Sequence, residues 1–387
     1  MEPAYFDNNA TTPLDPSVMS SMRDAFDLWA NPSSNNSNAR KTALAISEAR
    51  REIGKMFQVT SDDVIFTSGG TESNNWVIDS AVRLHKYNKR VGKPHVVTSS
   101  IEHPAIKEPL LRRLRDEEID VTFVEVSPET GAVRVEDVLT AMTSSTCLVT
   151  IMLANNETGV LQPVAEIGVS VRSKFGNSVF IHTDAAQAVG KIAISIPDLH
   201  VDALTVVGHK FYGPRNGALV LRSRAEVALE PLFLGGNQEF GLRSGTENTP
   251  MVVGLGQAAR VFNEASEEIE QRLRGTRDYF EAQLKECLGD EHKVHFGASP
   301  RLPNTSSVAF LNYEPHSCHL IENCKTFSAS TGAACHKSEC SPILTACGIP
   351  FSIASKTVRF SFGRSTTKEE VDLAVAELVS LTSRSKK

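Results

Sequence analysis

The sequence contains a lysine in a position that suits covalent chemistry. Lys210 lies in Val206-Val-Gly-His-Lys-Phe-Tyr-Gly-Pro214, directly after an apolar, strand-like run. A lysine at the mouth of a sheet is partly desolvated, which lowers the pKa of its amine and frees it as a nucleophile. A solvated surface position is the ordinary alternative for any one of the 40 lysines and arginines. The neighbouring motifs decide between these interpretations.

Two further motifs also come after strand-like runs. Asp184 lies in Ile181-His-Thr-Asp-Ala-Ala-Gln187, where a carboxylate can hold a proton on a pyridine nitrogen and make the ring an electron sink. The turn Thr67-Ser-Gly-Gly-Thr-Glu-Ser73 precedes a predicted helix, whose N–H groups and dipole suit a phosphate. Alone, the aspartate is more often a helix cap and the turn is weak support. Together with Lys210, they match the requirements of pyridoxal phosphate.

Alternating apolar runs and helical patterns must position these residues. The first two-thirds of the chain has six short runs that are apolar on both faces, as in the mostly parallel, helix-covered sheet of an α/β domain. The runs are Val64–Thr67, His95–Thr98, Val121–Val126, Leu148–Leu153, Val179–His182 and Leu204–Val207. Ligands of such open sheets bind beyond the carboxyl ends of the strands, and the three motifs lie at strand ends.

A long helical pattern from about Val252 to Leu288 predicts the passage into a smaller α+β domain at the C-terminal end. That domain would contain strands at Ser306–Leu311 and Val358–Phe362. Its last helix would begin at the capping box Thr367-Lys-Glu-Glu370 and end near Leu381. We therefore expect a large domain over residues 15–255 and a small domain formed by residues 1–14 and 256–387.

Composition limits the class of protein. The 387 residues are 41% hydrophobic and carry a net charge of −6, which gives no electrostatic reason to expect a nucleic-acid partner. No apolar run is long enough to span a bilayer, and the first residues have no signal-peptide or transit pattern. Seven cysteines, an odd number, argue against a secreted disulfide framework. We expect a cytosolic protein without a nucleic-acid or membrane partner.

Seven ordered motifs resemble the cysteine desulfurase group of the class V aminotransferases. They are Asp7–Thr12, Ser68–Asn75, Glu102-His103, Ala154–Gly159, His182–Gln187, Gly208–Lys210 and Arg243–Thr246, collinear over a match from about residue 4 to residue 383. The resemblance implies the type I fold of pyridoxal-phosphate-dependent transferases. In that fold, helices cover both faces of a mostly parallel large-domain sheet, and a smaller α+β domain comes after it.

The same resemblance implies how the cofactor ring would be held. Lys210 would bind pyridoxal phosphate as a Schiff base and later move protons at the substrate carbon. His103 would stack on the pyridine ring and assist proton transfer. Asp184 would pair with the ring nitrogen and Gln187 with the phenolic oxygen, while Asn155 would lie beside ring and substrate.

The phosphate ligands implied by the family include a residue from a second chain. Gly70, Thr71 and His209 would bind the phosphate, joined by Thr246 of the partner subunit. That contact implies a homodimer with shared active sites. Many desulfurases have a phosphate-binding serine where this chain has Val207, so we expect that one contact to be missing.

The substrate would be held at its carboxylate and attacked by a thiol. By family position, Arg364 would bind the carboxylate of an amino-acid substrate with parallel hydrogen bonds. Cys335 comes after the small residues Gly332-Ala-Ala334, which would let a thiolate reach the substrate, and in the family this cysteine takes the chalcogen atom. His336 would either assist that thiolate by its charge or face solvent. Cys340 would accept the chalcogen next or be incidental.

The remaining cysteines carry no further chemistry in this interpretation. Five of the seven lie between Cys318 and Cys347, but their spacings are irregular and contain no Cys-x-x-Cys pair, so we expect no metal site. The residues that we expect to be small buried side chains are Cys147, Cys287 and Cys347.

Four segments resemble the selenocysteine lyase branch of animals. They are Ser330–His336, Val206–Arg215, Gly245–Met251 and Gly363–Thr367. The resemblance implies conversion of L-selenocysteine into L-alanine and selenide through a per-chalcogenide on Cys335, with a selenide or sulfur acceptor protein as a further partner. Cysteine desulfurase activity is the alternative. An inactive scaffold is a third hypothesis, which the intact Lys210, Asp184, His103, Cys335 and Arg364 oppose.

Overall fold

The computed structural model describes residues 2–314, 316–331 and 341–384. The strands of these residues are β1 Ala4–Tyr5, β2 Val64–Thr67, β3 His95–Ser99, β4 Asp120–Val124, β5 Thr146–Thr150, β6 Phe180–Asp184, β7 Ala203–Val207, β8 Gly217–Leu221, β9 His292–Val294, β10 Thr305–Phe310, β11 Phe327–Ser328 and β12 Thr357–Ser361. The helices are α1 Pro16–Ala25, α2 Ser37–Phe57, α3 Gly70–Tyr87, α4 Pro104–Arg115, α5 Val135–Ala141, α6 Val164–Phe175, α7 Ile196–Leu199, α8 Thr249–Leu288, α9 Ser317–Asn323, α10 Pro342–Ala346, α11 Phe351–Ala354 and α12 Lys368–Arg384.

Seven of the described strands form the large sheet in the order β2-β8-β7-β6-β5-β3-β4. The neighbours from β7 to β4 are parallel, and β8 runs antiparallel to both β2 and β7. Successive residues of a strand point to opposite faces, and each face is covered. One apolar cluster packs α2, α6 and α8 on one face, and another packs α3 and α4 on the other. The predicted α/β class with a mostly parallel, doubly covered sheet is confirmed.

This topology brings several loops to one edge of the sheet. β2 is antiparallel to β8, and β8 is antiparallel to β7, so β2 points the same way as the parallel strands. The carboxyl ends of β2, β3, β5, β6 and β7 therefore meet at a common edge. The residues directly after these ends are those from which the sequence predicts a site.

A smaller sheet and an aromatic cluster form the C-terminal part. β10 pairs antiparallel with β9 and β12, and β1 pairs in parallel with β11. The cluster there contains Phe6, Phe280, Phe310, Phe360 and Phe362, all nearly inaccessible to solvent. The first residues of the chain thus pack against its last third. The domain limits at 14/15 and 255/256 stay predictions.

The predicted helices α8 and α12 are present. α8 begins three residues earlier than predicted and is bent at Ala265, whose φ of −139° and ψ of 26° are not helical. α12 has the predicted capping box, since the Glu370 N–H donates to Thr367 Oγ1 at 3.2 Å and the Thr367 N–H donates to Glu370 Oε2 at 2.9 Å. No helix in the described part of the chain is both long and apolar enough to cross a membrane.

One prediction about the cysteines was wrong. Cys147 and Cys347 are buried, which raises the pKa of each thiol to about 12, but Cys287 is exposed. In α8 the inward positions near the helix end are occupied by Leu284 and Leu288, and Cys287 lies on the flank that faces solvent. The helical period of the leucines, rather than the residue type of cysteine, decides this position.

Candidate active site

A cavity of about 240 Å³ opens at the carboxyl edge of the large sheet. That volume is many times the roughly 10–15 Å³ that a single water needs, so the cavity is of ligand size. The predicted site residues that line it are Gly70, Thr71, His103, Asp184, Gln187, His209 and Lys210. The other lining residues are Asn74, Ala105, Met152, Ala154, Asn156, Ala186 and Val207.

Lys210 lies in a short turn directly after β7. Its Nζ donates hydrogen bonds to the backbone carbonyls of Asn9 at 2.6 Å and Ala10 at 3.0 Å. Burial and the positive charge of Arg359 lower the pKa of the amine to about 8, although Asp184 and Asp7 act in the opposite direction. A substantial fraction of the amine is therefore neutral, and nucleophilic, near physiological pH.

Asp184 ends β6 and is held at both carboxylate oxygens. Oδ1 accepts the Ala186 N–H at 2.9 Å, and Oδ2 accepts Nδ2 of Asn74 at 2.7 Å. The first contact is the capping role that is ordinary for an aspartate after a strand; the second is specific to this site. A carboxylate has about four acceptor positions, so positions remain for a ligand. No sequence pattern indicates the role of Asn74, whose contact with Asp184 spans 110 residues.

Gly70 and Thr71 form the first turn of α3, where backbone N–H groups lack helical partners. A Cβ on Gly70 would lie 2.6 Å from Cγ2 of Val207, so no larger residue fits without displacement. Val207 lines the cavity and, as an apolar residue, provides no hydroxyl to a ligand there. This glycine turn forms a cradle of backbone N–H groups, which suits an anion.

Two histidines line the cavity as neutral side chains. His103 is the N-cap of α4, and its Nδ1 accepts a hydrogen bond from the Ala105 N–H at 3.1 Å. Burial lowers its pKa and favours the neutral ring, and because Nδ1 accepts a hydrogen bond, the ring proton is on Nε2. His209 Nδ1 pairs with Thr11 Oγ1 at 3.1 Å, and burial, Lys210 and Arg215 lower its pKa to about 4. Each ring thus acts by stacking or hydrogen bonding rather than as a cation.

Asn155 and Thr246 are not among the residues that line the cavity of their own chain. Asn155 is fully buried, and its Oδ1 accepts the N–H groups of Glu157 and Thr158, both at 2.9 Å. It thereby shapes the turn that places Ala154 and Asn156 at the cavity wall. Thr246 is exposed. The predicted roles of Asn155 and Thr246 stay predictions.

Arg364, like Asn155 and Thr246, is not among the residues that line the cavity, but it lies beside the lysine turn with unused hydrogen-bonding capacity. Its guanidinium carbon is 4.3 Å from the ring centroid of Tyr212, and its backbone N–H donates to the Tyr212 hydroxyl at 2.6 Å. The Nε and Nη2 atoms are buried and have no hydrogen-bond partner among the described residues. Burial without a full set of partners is costly for a charged group. An anionic ligand would satisfy both N–H groups.

Cys335, His336 and Cys340 lie outside the described residues, but the residues on either side are anchored near the cavity. The Ser330 carbonyl accepts the Arg359 N–H at 2.6 Å, and Arg359 Nη1 donates to the carbonyl of Asn156 at 3.0 Å. On the other side, the Ser341 hydroxyl donates to Glu157 Oε2 at 2.5 Å. Ser330, through Arg359, and Ser341 are thus both linked to the 154–159 turn, which contributes Ala154 and Asn156 to the cavity wall.

The N-terminal motif supplies a contact that sequence reasoning missed. The Asn9 carbonyl accepts both Lys210 Nζ at 2.6 Å and Gln187 Nε2 at 3.0 Å. These contacts join residues that are 201 and 178 positions apart in sequence. The resemblance marked Asp7–Thr12 as a motif, but no local pattern indicates what it contacts.

Comparison with known proteins finds related enzymes over nearly the whole chain. A family model described as Aminotransferase class-V matches residues 4–374. The selenocysteine lyase of Bos taurus is 45% identical over 97% of this chain and 92% of that protein. The mitochondrial cysteine desulfurase of Saccharomyces cerevisiae is 38% identical over 96% of this chain and 73% of that protein. A solved structure titled NifS-like protein matches with a TM-score of 0.89 at 31% identity, over 99% of this chain and 100% of that chain.

Proposed function

The chain belongs to the class V aminotransferase family, and from that premise we propose that it acts as a selenocysteine lyase, which converts L-selenocysteine into L-alanine and selenide. Enzymes of this family depend on pyridoxal phosphate. The observation that carries the proposal is the 45% identity with the bovine selenocysteine lyase over 97% of the chain. The yeast cysteine desulfurase is less similar, at 38% identity, and its activity is the alternative.

The cavity has the chemical groups that pyridoxal phosphate requires. It combines a partly neutral lysine amine, a carboxylate fixed at both oxygens and a glycine turn at a helix N-terminus. The residues that would hold the cofactor are Lys210 as a Schiff base, Asp184 at the ring nitrogen, Gln187 at the phenolic oxygen, His103 on the ring face, Asn155 beside the ring, and Gly70, Thr71 and His209 at the phosphate. Val207 would leave the phosphate without the hydroxyl that many desulfurases provide.

When bound, pyridoxal phosphate supplies an electron sink that stabilises a carbanion at the α-carbon of an amino acid. Lys210, when its amine is free, would accept the proton of that carbon and return it. Arg364 would bind the substrate carboxylate through Nε and Nη2, the two N–H groups that lack partners in the described structure. The Tyr212 ring beneath the guanidinium would fix its orientation.

Cys335 would remove the selenium atom. As its thiolate forms a sulfur–selenium bond, the carbon–selenium bond breaks and the carbon fragment leaves as alanine after protonation. A thiol reductant then cleaves the sulfur–selenium bond and releases selenide. Ser330 and Ser341, which flank the segment containing Cys335, are both anchored beside the 154–159 turn, and this supports the proposed role of Cys335.

A homodimer would complete the phosphate site with Thr246 of the partner subunit. Large apolar side chains are exposed on segments 26–44 and 233–240, for example Trp29 at 78% and Leu234 at 88%. The same two segments line one surface cleft through Pro32 and Phe240. Exposed apolar surface of this kind favours association with another chain. We further propose a cytosolic location and an acceptor protein for the released selenium or sulfur.

The proposal is tested by quantifying alanine and selenide from L-selenocysteine in the presence of a thiol reductant. We expect equal amounts of the two products from the wild-type protein and none from Lys210→Ala. Borohydride treatment should attach the cofactor to the peptide that contains Lys210. A purified protein that binds no pyridoxal phosphate would support the scaffold hypothesis instead.

A further inference from the structure

A second lysine is buried behind the cavity wall. Lys191 is only 4% exposed and is not among the residues that line the cavity. Its Nζ donates to Asn9 Oδ1 at 2.7 Å and to Gln187 Oε1 at 3.1 Å. Within the described residues it forms no ion pair with a carboxylate. A buried amine without a counter-ion is costly, and an apolar residue would fill the space more cheaply, so packing alone does not explain a lysine here.

The surroundings of Lys191 favour a neutral amine. Burial lowers its pKa well below the ordinary lysine value, and the positive charges of Lys210 and Arg359 lower it further. A neutral amine has two N–H groups, and the structure provides two acceptors for them, on Asn9 and Gln187. Hydrogen-bond donors and acceptors are therefore matched without any counter-ion.

These contacts determine the orientation of the Gln187 amide. The two ends of an amide are nearly identical in shape, so the partners decide which end faces which way. Lys191 donates to Oε1, while Nε2 donates to the Asn9 carbonyl at 3.0 Å. A flipped amide would place Oε1 against that carbonyl, an acceptor facing an acceptor. Nε2 therefore keeps a second N–H group beyond its bond to Asn9, and Gln187 is one of the residues that line the cavity.

We propose that Lys191 is a positioning residue, which holds the Gln187 amide so that an N–H group points into the cavity and stabilises the phenolic oxygen of the cofactor as an anion. This inference rests on the proposed pyridoxal-phosphate site. Lys191 acts through Gln187 and does not touch the cofactor. Its contact with Asn9 also fixes the residue whose carbonyl accepts Lys210 Nζ.

Lys191→Met tests the proposal, because methionine has a similar length and no donor. The readout is the pH at which the visible absorbance of the cofactor-loaded protein changes. Loss of an N–H donor makes the phenolic oxygen more basic, so we expect the midpoint to rise by about one pH unit, the effect of one hydrogen bond to a charged group. Lys285→Met, which changes an exposed lysine of α8, is the matched control and should leave the midpoint unchanged.

A double-mutant cycle separates this role from a purely structural one. In a Gln187→Ala background, Lys191→Met should cause no further change in the midpoint. A variant that only melts at a lower temperature, with a wild-type midpoint, would overturn the proposal. If Lys191→Met does not fold, Lys191→Leu also lacks the donor and should show the same shift. Failure of the wild-type protein itself to bind pyridoxal phosphate would instead refute the proposed function.

Discussion

Burial and a neighbouring guanidinium act together on the Lys210 amine. Both lower its pKa, to about 8, against about 10.4 for an ordinary lysine. The neutral amine is the form that reacts with an aldehyde, and its fraction rises as the pH rises through the pKa. We therefore predict that the rate at which the cofactor-free protein takes up pyridoxal phosphate increases between pH 7 and 9 and then levels off. Stopped-flow absorbance measures this rate, and one that climbs undiminished above pH 10 would argue for an exposed lysine.

Recognition of the substrate carboxylate depends on Arg364. Arg364→Ala removes the two N–H groups that have no partner in the described structure. We predict that KM for the amino acid rises by about 10- to 100-fold, the effect of losing a charge-assisted contact of roughly 1.5–3 kcal/mol. Cofactor absorbance should stay as in the wild type. Arg134→Ala, at an exposed ion pair, is the control, and an unchanged KM in Arg364→Ala would remove this residue from the site.

Among single residues, those at strand ends could be predicted from the sequence, and those that make contacts across the chain could not. Lys210, Asp184 and Gly70 could be predicted because each comes after an apolar run at the carboxyl edge of a sheet. Asn9 and Lys191 could not, because their contacts depend on how the N-terminal segment packs against residues about 180 positions later. The segment containing Cys335 was identified by resemblance and lies outside the described residues.

Among the elements, the large-sheet strands that point in one direction were the most predictable. Runs that are apolar on both faces indicated all six strands from β2 to β7, although β5 begins two residues earlier than predicted. β8 was missed because it is an antiparallel return directly after the lysine turn, which breaks the expected alternation of strand and helix. β9 has three residues, none of them buried, and therefore has no apolar signature.

The first turn of α3 gives a test of the phosphate cradle. Gly70→Ala places a Cβ 2.6 Å from Cγ2 of Val207. Because valine is β-branched, its χ1 rotation is restricted and it cannot easily move away. Overpacking of about 1–3 kcal/mol corresponds to about 5- to 150-fold weaker binding of pyridoxal phosphate, measured by fluorescence titration. Gly70→Ala combined with Val207→Ala should recover most of the affinity. Gly275→Ala, where a Cβ meets nothing within 4 Å, is the control; equal effects of both alanines would refute the cradle.

The ends of β3 and β5 are joined by a buried carboxyl group. Glu102 Oε1 accepts the Ser99 hydroxyl at 2.6 Å and the Met152 N–H at 2.9 Å, and burial raises its pKa to about 8. An unfolded glutamate has a pKa of about 4.3, so between about pH 4.3 and 8 the folded protein binds the additional proton. The stability contributed by this group is complete below that window and is lost as the pH rises through it.

Glu102→Gln keeps the acceptor and removes the titration. We predict that the melting temperature of the cofactor-free variant, relative to the wild type, rises steadily from pH 5 to pH 8. Thermal denaturation across this range measures the difference, in which the groups common to both proteins cancel. A difference that does not change with pH would show that Glu102 is ionised in the folded protein.

For the whole molecule, the proposed dimer requires two chains for each complete site. Thr246 is exposed and does not line the cavity of its own chain. Thr246→Glu would place a negative charge against the phosphate, and Lys210→Ala removes the amine. A dimer that mixes the two variants has one site with both changes and one with neither. We predict that an equal mixture, after subunit exchange, recovers about a quarter of wild-type activity, because half of the dimers are mixed.

Each variant measured alone provides the control for this mixture. Activity that does not exceed that of unmixed Thr246→Glu would show that the loop acts within its own chain. In that case, we would expect the exposed apolar segments 26–44 and 233–240 to bind a partner other than a second copy of this chain.

The proposed function requires that this cavity processes selenocysteine in preference to cysteine. Alanine release from L-selenocysteine and from L-cysteine, under the same conditions and expressed as kcat/KM for each, measures this preference. We predict a much larger value for selenocysteine. Comparable values for the two amino acids would refute the lyase function and assign the chain to the desulfurases.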